Sequence, residues 1–589
     1  MNKMDKLIVA VLGLALAGWF WYSMDAQKKA ARAASPRSID ARQAEVQKVA
    51  PAAPAAVQPV AAPAASAPAP VPTVTRAPAQ KIHLTNDQVC VTFSSQGAAV
   101  TQVRLLQYAE RAGALSESNP AVELDFSAQP ALALSGVPGL AADADYAVAE
   151  QRADRVVFTN AFLRREVTLR PDYQLAVTET FAPGCPRTVQ TSLAVGVMTL
   201  GASKNDILSV DSWLVSDAKG KSRVEHHGET DPLKSYLVGS DFGGCGGKRS
   251  AAGMPAVSTV TVPGARSWLA VKNRFFVAAL TGLTGETGFT ATVARDMTRA
   301  EYAPKAVSVA LGSQSLPETR TYTLYLGPKK QELLWGLGLK DVMEFGMWRW
   351  VCYPMVWVLN VFNGWIPNYG VAIILLTLLV RLVFWPLTHK STVGMRKMQE
   401  IQPKMKALQA KFKDNPQRLQ QETWQLYRDH KVNPMSSCLP MLVQIPVFIA
   451  LFTVLRSAVE LRYAPFLWIA DLSEPEALFA SWFPFGGLNV LPVLMALTMA
   501  LQSALTPSAG DKNQQRMMIV MMPVMMLVMF YNFPSALSLY WTLSQVLSIV
   551  QMWWIRKRYS APAAATGAVD PDAIDMPQSR QMRRHHADR

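Results

Sequence analysis

"ILLTLLVRLVFWPLTHKS" (residues 374–391) places Arg381 in the middle of an apolar stretch that holds no acidic residue. From Gly370 onward, apolar runs of about 17 to 21 residues recur between short polar breaks, matching the ~20 residues with which a helix crosses a bilayer's hydrocarbon core. The C-terminal part therefore reads as a polytopic membrane domain with spans near residues 368–388, 438–457, 487–505, 517–531 and 537–555. Arg381 lies roughly 16 Å along the first span from Gly370 and about 10 Å from Thr388, at the helical rise of 1.5 Å per residue. It sits in the hydrocarbon, not at its edge.

Two readings of that charge compete. In one, the side chain snorkels to the interface, offsetting an insertion cost of ~2.5–3.5 kcal/mol. In the other, it faces a water-filled cavity and attracts a negative group. The five spans contain no Asp or Glu, so no internal carboxylate can neutralise it, which favours the second reading. Thr377, Gln444, Gln502, Asn532, Ser544 and Gln545 also lie in the spans or at their ends. Each alone supplies an interhelical hydrogen bond of ~0.6 kcal/mol; together with Arg381 they make a hydrophilic face. Pro386, Pro440, Pro446, Pro492 and Pro523 remove backbone donors, which suits a wet interior. The fourth span carries a stripe of Met518, Met522, Met525 and Met529, either lipid-facing filler or a pliable surface for varied apolar partners.

Basic residues orient the spans. The connection after the first carries Lys390, Arg396, Lys397, Lys404, Lys406, Lys411 and further Lys and Arg, outnumbering its acids, so it is assigned to the cytoplasm. There, Met398, Ile401, Met405, Leu408 and Phe412 recur at helical spacing, and the series resumes after Asn415 and Pro416, an N-cap and first-turn pair. A helical hairpin follows, over residues 390–435. The net charge of +15 is concentrated in and after the membrane part, which directs it to anionic lipid, RNA or a protein partner rather than DNA.

Upstream, residues 1–25 combine Lys3 and Lys6 with an apolar run and the aromatics Trp19, Phe20, Trp21 and Tyr22. The segment is a cleaved signal or a retained anchor, and the aromatic belt favours the anchor. Residues 26–80 form an Ala/Pro-rich spacer. Over 81–340, alternating segments such as "QVCVTFSS", "REVTLR", "VSTVTV" and "TYTLYLG" predict one β-sandwich-like domain. "MWRWVCYPMVWVLNVF" (residues 347–362) predicts an interfacial helix within 341–366, before the five-helix core at 367–558 and a basic tail at 559–589.

Covalent chemistry finds little support. The five cysteines show no CxxC spacing, although a Cys90–Cys185 disulfide stays open. The histidine pairs 226/227 and 585/586 lack metal-ligand spacing, and "FGGCGGK" (residues 242–248) reads as a loop. No enzyme activity, metal or cofactor is expected.

The blocks "LLVRLVFWPLT", "MRKMQEIQPKMKAL", "YRDHKVNPMSSCLPMLVQIPVFIALF", "VELRYAPFLWIADLS" and "FPSALSLYWTLSQV", in this order, resemble the YidC family of membrane protein insertases, as does "SWLAVKNRFFVAAL" in the β domain. The resemblance implies a polytopic α-helical membrane protein with six transmembrane helices, a five-helix insertase core and a large periplasmic all-β supersandwich-like domain related to sugar-binding enzymes. It implies a groove open to the cytoplasm, centred on Arg381, with Thr377 at a substrate-contacting position; Gln444, Phe448, Gln502, Met525, Met529, Tyr540, Trp541 and Gln545 are expected to line it too. Trp541 stands where many relatives have tyrosine. Location in the bacterial inner membrane, with both termini cytoplasmic, is implied too. So are insertion of nascent membrane proteins, alone or with the Sec translocon, and contacts of the hairpin and tail with ribosome and signal-recognition machinery. The rival classes are a small-anion transporter or channel, which Arg381 also suits, and a membrane-anchored carbohydrate-binding receptor, which the outer domain suits.

Overall fold

The computed structural model describes residues 78–558, apart from 114, 201–205, 217–220, 228–255, 283–285, 296–303, 414, 431, 433–438, 480–486 and 506–511. The N-terminal segment, nearly all of the spacer, the glycine-rich loop at 242–248, Cys245, Cys438, the 585/586 histidine pair and the basic tail lie outside the described residues. The chain divides into two compact units, one ending its main stretch at Lys329 and the other running from Met343.

In the first unit, strands lie in sheets of four, five and nine among the described residues. The four-stranded sheet runs in chain order through Lys81–Thr85, Val89–Ser94, Ala99–Ala109 and Ala121–Asp125. The nine-stranded sheet runs from Arg223–His227 through Ser209–Leu214, Arg266–Lys272, Phe276–Thr281, Thr319–Pro328, Gln174–Phe181, Leu163–Arg170 and Arg155–Thr159 to Ala147–Gln151. Every pairing in it is antiparallel. Strands such as Lys81–Thr85 and Leu163–Arg170 bury every second side chain, as expected for a sheet with one face on the core. Phe276–Thr281 instead buries five consecutive side chains, because both of its faces are covered. Gly196 marks a bulge in Thr191–Thr199; its φ of 139° and the ring of Phe126, 2.8 Å from where a Cβ would sit, exclude other residues.

A buried charge cluster joins the nine-stranded sheet to the four-stranded one. Glu179, fully buried, accepts from Arg165 Nε at 2.8 Å, Tyr322 Oη at 2.9 Å and the Arg320 guanidinium. Arg165 Nη1 also donates to the carbonyls of Gly97 at 3.1 Å and Ala98 at 2.8 Å, in the turn leading into Ala99–Ala109. Burial alone raises the Glu179 carboxyl, but Arg320 and Arg165 overcome it and hold the pKa down at about 2. Cys90 and Cys185 are buried free thiols, so the disulfide left open by the sequence is not formed.

Ten α-helices follow among the described residues: α1 (Gln331–Gly336), α2 (Arg349–Trp365), α3 (Tyr369–Val383), α4 (Trp385–Glu400), α5 (Gln402–Lys411), α6 (Pro416–Asp429), α7 (Leu439–Ser457), α8 (Val490–Leu505), α9 (Lys512–Phe530) and α10 (Ser535–Arg558). Among the described residues no single helix is long and apolar enough to cross a membrane; α3 with the start of α4, bent by 59°, meets that requirement as a pair. The continuous first span read over 368–388 is thus corrected to a helix broken at Phe384. Pro386 is the physical cause: it has no N–H for the Leu382 carbonyl, and its ring collides with that carbonyl in an unbroken helix. The Asn368 side chain caps α3 by accepting from Val371 N at 3.2 Å.

α2 buries Cys352, Met355, Val356 and Leu359 and exposes Trp350, Trp357 and Trp365. Its Cys352 thiol donates to the Ala450 carbonyl of α7 at 3.8 Å. An apolar inner face with an outer row of tryptophans is the pattern of a helix at a membrane interface. In the hairpin, Asn415 accepts from Arg418 N at 3.1 Å with Pro416 opening α6, and the two helices close on Met398, Ile401, Met405, Tyr427 and Val432. Lys397, Lys404, Lys406 and Lys411 are exposed, with Lys404 Nζ 3.0 Å from His430 Nε2. Arg396 lies on α4.

Candidate functional site: the arginine of the helical unit

The break at Phe384 decides the position of Arg381, which falls in the last turn of α3 instead of mid-helix. There the partial negative charge of the helix C-terminus meets the guanidinium, partly offsetting its desolvation. Among the described residues no carboxylate lies within ion-pair distance of it. Its partner is Ser544, 163 residues away on α10: Arg381 Nη2 donates to the Ser544 carbonyl at 2.6 Å and to its hydroxyl. Gln444 Nε2, from α7, reaches the same hydroxyl at 3.5 Å.

Arg381, Phe384, Thr388, Gln444 and Tyr540 are among the residues around a cavity of about 30 Å³. One water needs ~10–15 Å³ on this measure, so the space accommodates a water or two. The polar seam continues along α10. Ser548 Oγ donates to the Ser544 carbonyl at 3.0 Å, and Gln551 Nε2 donates to Thr388 Oγ1 at 3.0 Å. Positions 544, 548 and 551 share one face of a helix, so the seam follows from helical spacing.

The other residues expected in the groove divide. Tyr540 is buried at the cavity, and Phe448 and Trp541 meet edge to face at 4.8 Å between ring centroids. Phe530 joins them at 5.4 Å from Trp541, so α7, α9 and α10 share one aromatic cluster. Met525 and Met529 are half-exposed on α9. Thr377 is fully buried, and its hydroxyl donates at 2.7 Å to the Ile373 carbonyl of its own helix, away from the cavity. Gln502 on α8 and Gln545 on α10 are half-buried and do not line the cavity. The sequence reading missed Thr388 and Gln551; Gln551's position seven residues beyond Ser544 was the available signal.

The connection between α7 and α8 is tied down by its own acids. Glu476 accepts from Val490 N and Leu491 N, capping α8, and Ser535 Oγ donates to the Glu474 carbonyl at 2.6 Å. Asp471 accepts from Tyr463 N, Ser473 N and Ser473 Oγ.

Comparison with known proteins gives matches to both parts. A family model described as the 60Kd inner membrane protein matches residues 361–562, and one described as the YidC periplasmic domain matches residues 250–358. The membrane protein insertase YidC of Syntrophobacter fumaroxidans is 41% identical over 309 residues, 49% of this chain and 54% of the relative. That of Syntrophus aciditrophicus is 44% identical over 242 residues, 40% of this chain and 42% of the relative. The chain spans about half the length of the curated relatives it matches. A solved structure of an active YidC insertase with its first transmembrane domain resolved is 16% identical, covers 82% of this chain and 93% of its own, and has a TM-score of 0.34.

Proposed function

We propose that the chain is a membrane protein insertase of the YidC family, whose helical unit carries acidic substrate segments across the bilayer interface at Arg381. Arg381 carries the reading: a permanent charge in the last turn of α3, lacking a carboxylate partner among the described residues and held only by a serine. Such a charge is available to a substrate that brings its own negative group. A substrate's acidic terminus pairs with the guanidinium and so loses less on leaving water. Its apolar segment then moves over the half-exposed Met525 and Met529 and the Phe448–Trp541 cluster into lipid. Burial of that segment supplies the driving force, ~25 cal/mol per Å², so the protein only lowers the barrier. No covalent step and no cofactor is required.

In this reading α3 with the start of α4, together with α7, α8, α9 and α10, make five spans, and an N-terminal anchor makes a sixth. The β unit is periplasmic, α2 lies at the outer interface, and both termini and the hairpin α5–α6 are cytoplasmic. The exposed Lys397, Lys404, Lys406 and Lys411, with Arg396 on the same stretch, then face the ribosome, signal-recognition machinery and anionic lipid, and the Sec translocon is a partner for some substrates. The groove assignment predicts that photo-crosslinkers at Gln444, Met529 and Trp541 capture a ribosome-bound nascent membrane segment, while one at fully buried Leu334 of the β unit does not. Equal capture at all four positions argues against a groove.

A further inference from the structure

We propose that Ser544 determines which substrates Arg381 accepts, by occupying the guanidinium until a carboxylate displaces it; this rests on the insertase reading above. Among the described residues, Arg381 donates hydrogen bonds through Nη2 alone, and both go to Ser544. The Ser544 carbonyl is oversubscribed. It sits within α10, where the helical ladder takes one of its lone pairs, and both Ser548 Oγ at 3.0 Å and Arg381 Nη2 at 2.6 Å compete for the remainder. The hydroxyl is shared too, with Gln444 Nε2 at 3.5 Å. The clasp is therefore satisfied but contested. A neutral amide or hydroxyl on an incoming segment replaces it like for like and gains nothing. The Ser544 clasp pairs the guanidinium with neutral acceptors, whereas a carboxylate offers two charged oxygens matching the guanidinium fork, adding a counter-charge and bidentate geometry. Arg381 Nε and Nη1 remain for the carboxylate to engage before Nη2 leaves Ser544. A serine thereby sets a threshold of acidity.

The test uses the full chain in membrane vesicles and phenylglyoxal, a guanidinium-specific reagent, with modification of Arg381 followed by peptide mass spectrometry. Ser544→Ala removes the hydroxyl and leaves the carbonyl, so Arg381 should be modified several-fold faster than in the unsubstituted chain; Ser544→Thr, which keeps the hydroxyl, should restore the original rate. In parallel, the preference for a substrate with Asp over the same substrate with Asn in its translocated tail should fall several-fold in Ser544→Ala and not in Ser544→Thr. Equal labelling rates in all three chains overturn the clasp whatever the insertion assay gives. Faster labelling with an unchanged Asp-to-Asn preference overturns its role in selection. Faster labelling alongside full insertion of the acidic-tailed substrate by Arg381→Ala upholds the clasp and rejects the role of Arg381 in insertion, whereas insertion no greater than in protein-free vesicles rejects the insertase reading itself, so the two fail separately.

Discussion

Arg381→Ala should lower insertion of a substrate with an acidic translocated tail by roughly 10- to 100-fold, the equivalent of the ~1.5–3 kcal/mol that a hydrogen bond to a charged group contributes. The loss should be selective. A substrate whose tail is neutral makes no use of the guanidinium and should insert at an unchanged rate. Arg381→Lys keeps the charge and discards the planar fork, so it separates attraction from geometry. Retention of most activity in the lysine variant assigns the effect to charge; loss equal to that of alanine assigns it to bidentate recognition. Full activity of both variants on the acidic-tailed substrate sinks the electrostatic account. Because Arg381 lies at the end of α3 and its bonds run to one serine, the alanine variant should fold normally.

The second large effect belongs to the β unit. Glu179→Ala leaves Arg165 and Arg320 as buried guanidiniums without a counter-charge, and breaking a buried pair this way costs about 3–5 kcal/mol. Denaturant unfolding of the full chain, followed through Trp268, which is buried in the same unit, reads the change. A loss below about 1 kcal/mol, the level of an exposed pair, contradicts the cluster's structural role. The same group makes the unit acid-sensitive. Its carboxyl pKa is depressed in the folded chain to about 2, from a usual 4.5. The stability it contributes is therefore present above pH ~4.5 and is lost as the pH falls towards 2. In Glu179→Gln the carboxyl component of that slope should disappear. A slope identical to that of the unsubstituted chain places the acid sensitivity elsewhere.

Some of this architecture was legible in particular residues. Asn415 followed by Pro416 predicted the start of α6, because a side-chain acceptor and a residue without an N–H both suit a helix N-terminus. The alternating segments fell on strands because one buried face enforces a period of two. "REVTLR" carries a further signal. Arg165 has the same parity as Val167 and Leu169, which are buried, so an alternating strand places its charge in the core. Its partner Glu179 faces it across the next strand, 14 residues on; what remained hidden was Arg320, 141 residues from Glu179 with no local pattern to join them. The same limit hid the Arg381 clasp: Ser544 was visible as a polar residue in a span, but its pairing depends on how α3 and α10 pack. Thr377 is expected in the groove as a polar residue of the span and from the family resemblance. A threonine hydroxyl in a helix has a ready acceptor in the carbonyl four residues back, and here it uses Ile373. Pro386 was read as a sign of a wet interior, and its more direct consequence was the break at Phe384 that brings Arg381 to a helix end.

Insertion through Arg381 is isolated by incorporating the purified full chain into lipid vesicles that hold no other protein and supplying a single-span substrate with an acidic tail. Protease added outside the vesicles then reports whether the tail has crossed. The account predicts a protected tail fragment with the unsubstituted chain, clearly above protein-free vesicles, and its return to the protein-free level with Arg381→Ala. Protection no greater than in protein-free vesicles, or equal protection with both chains, contradicts it.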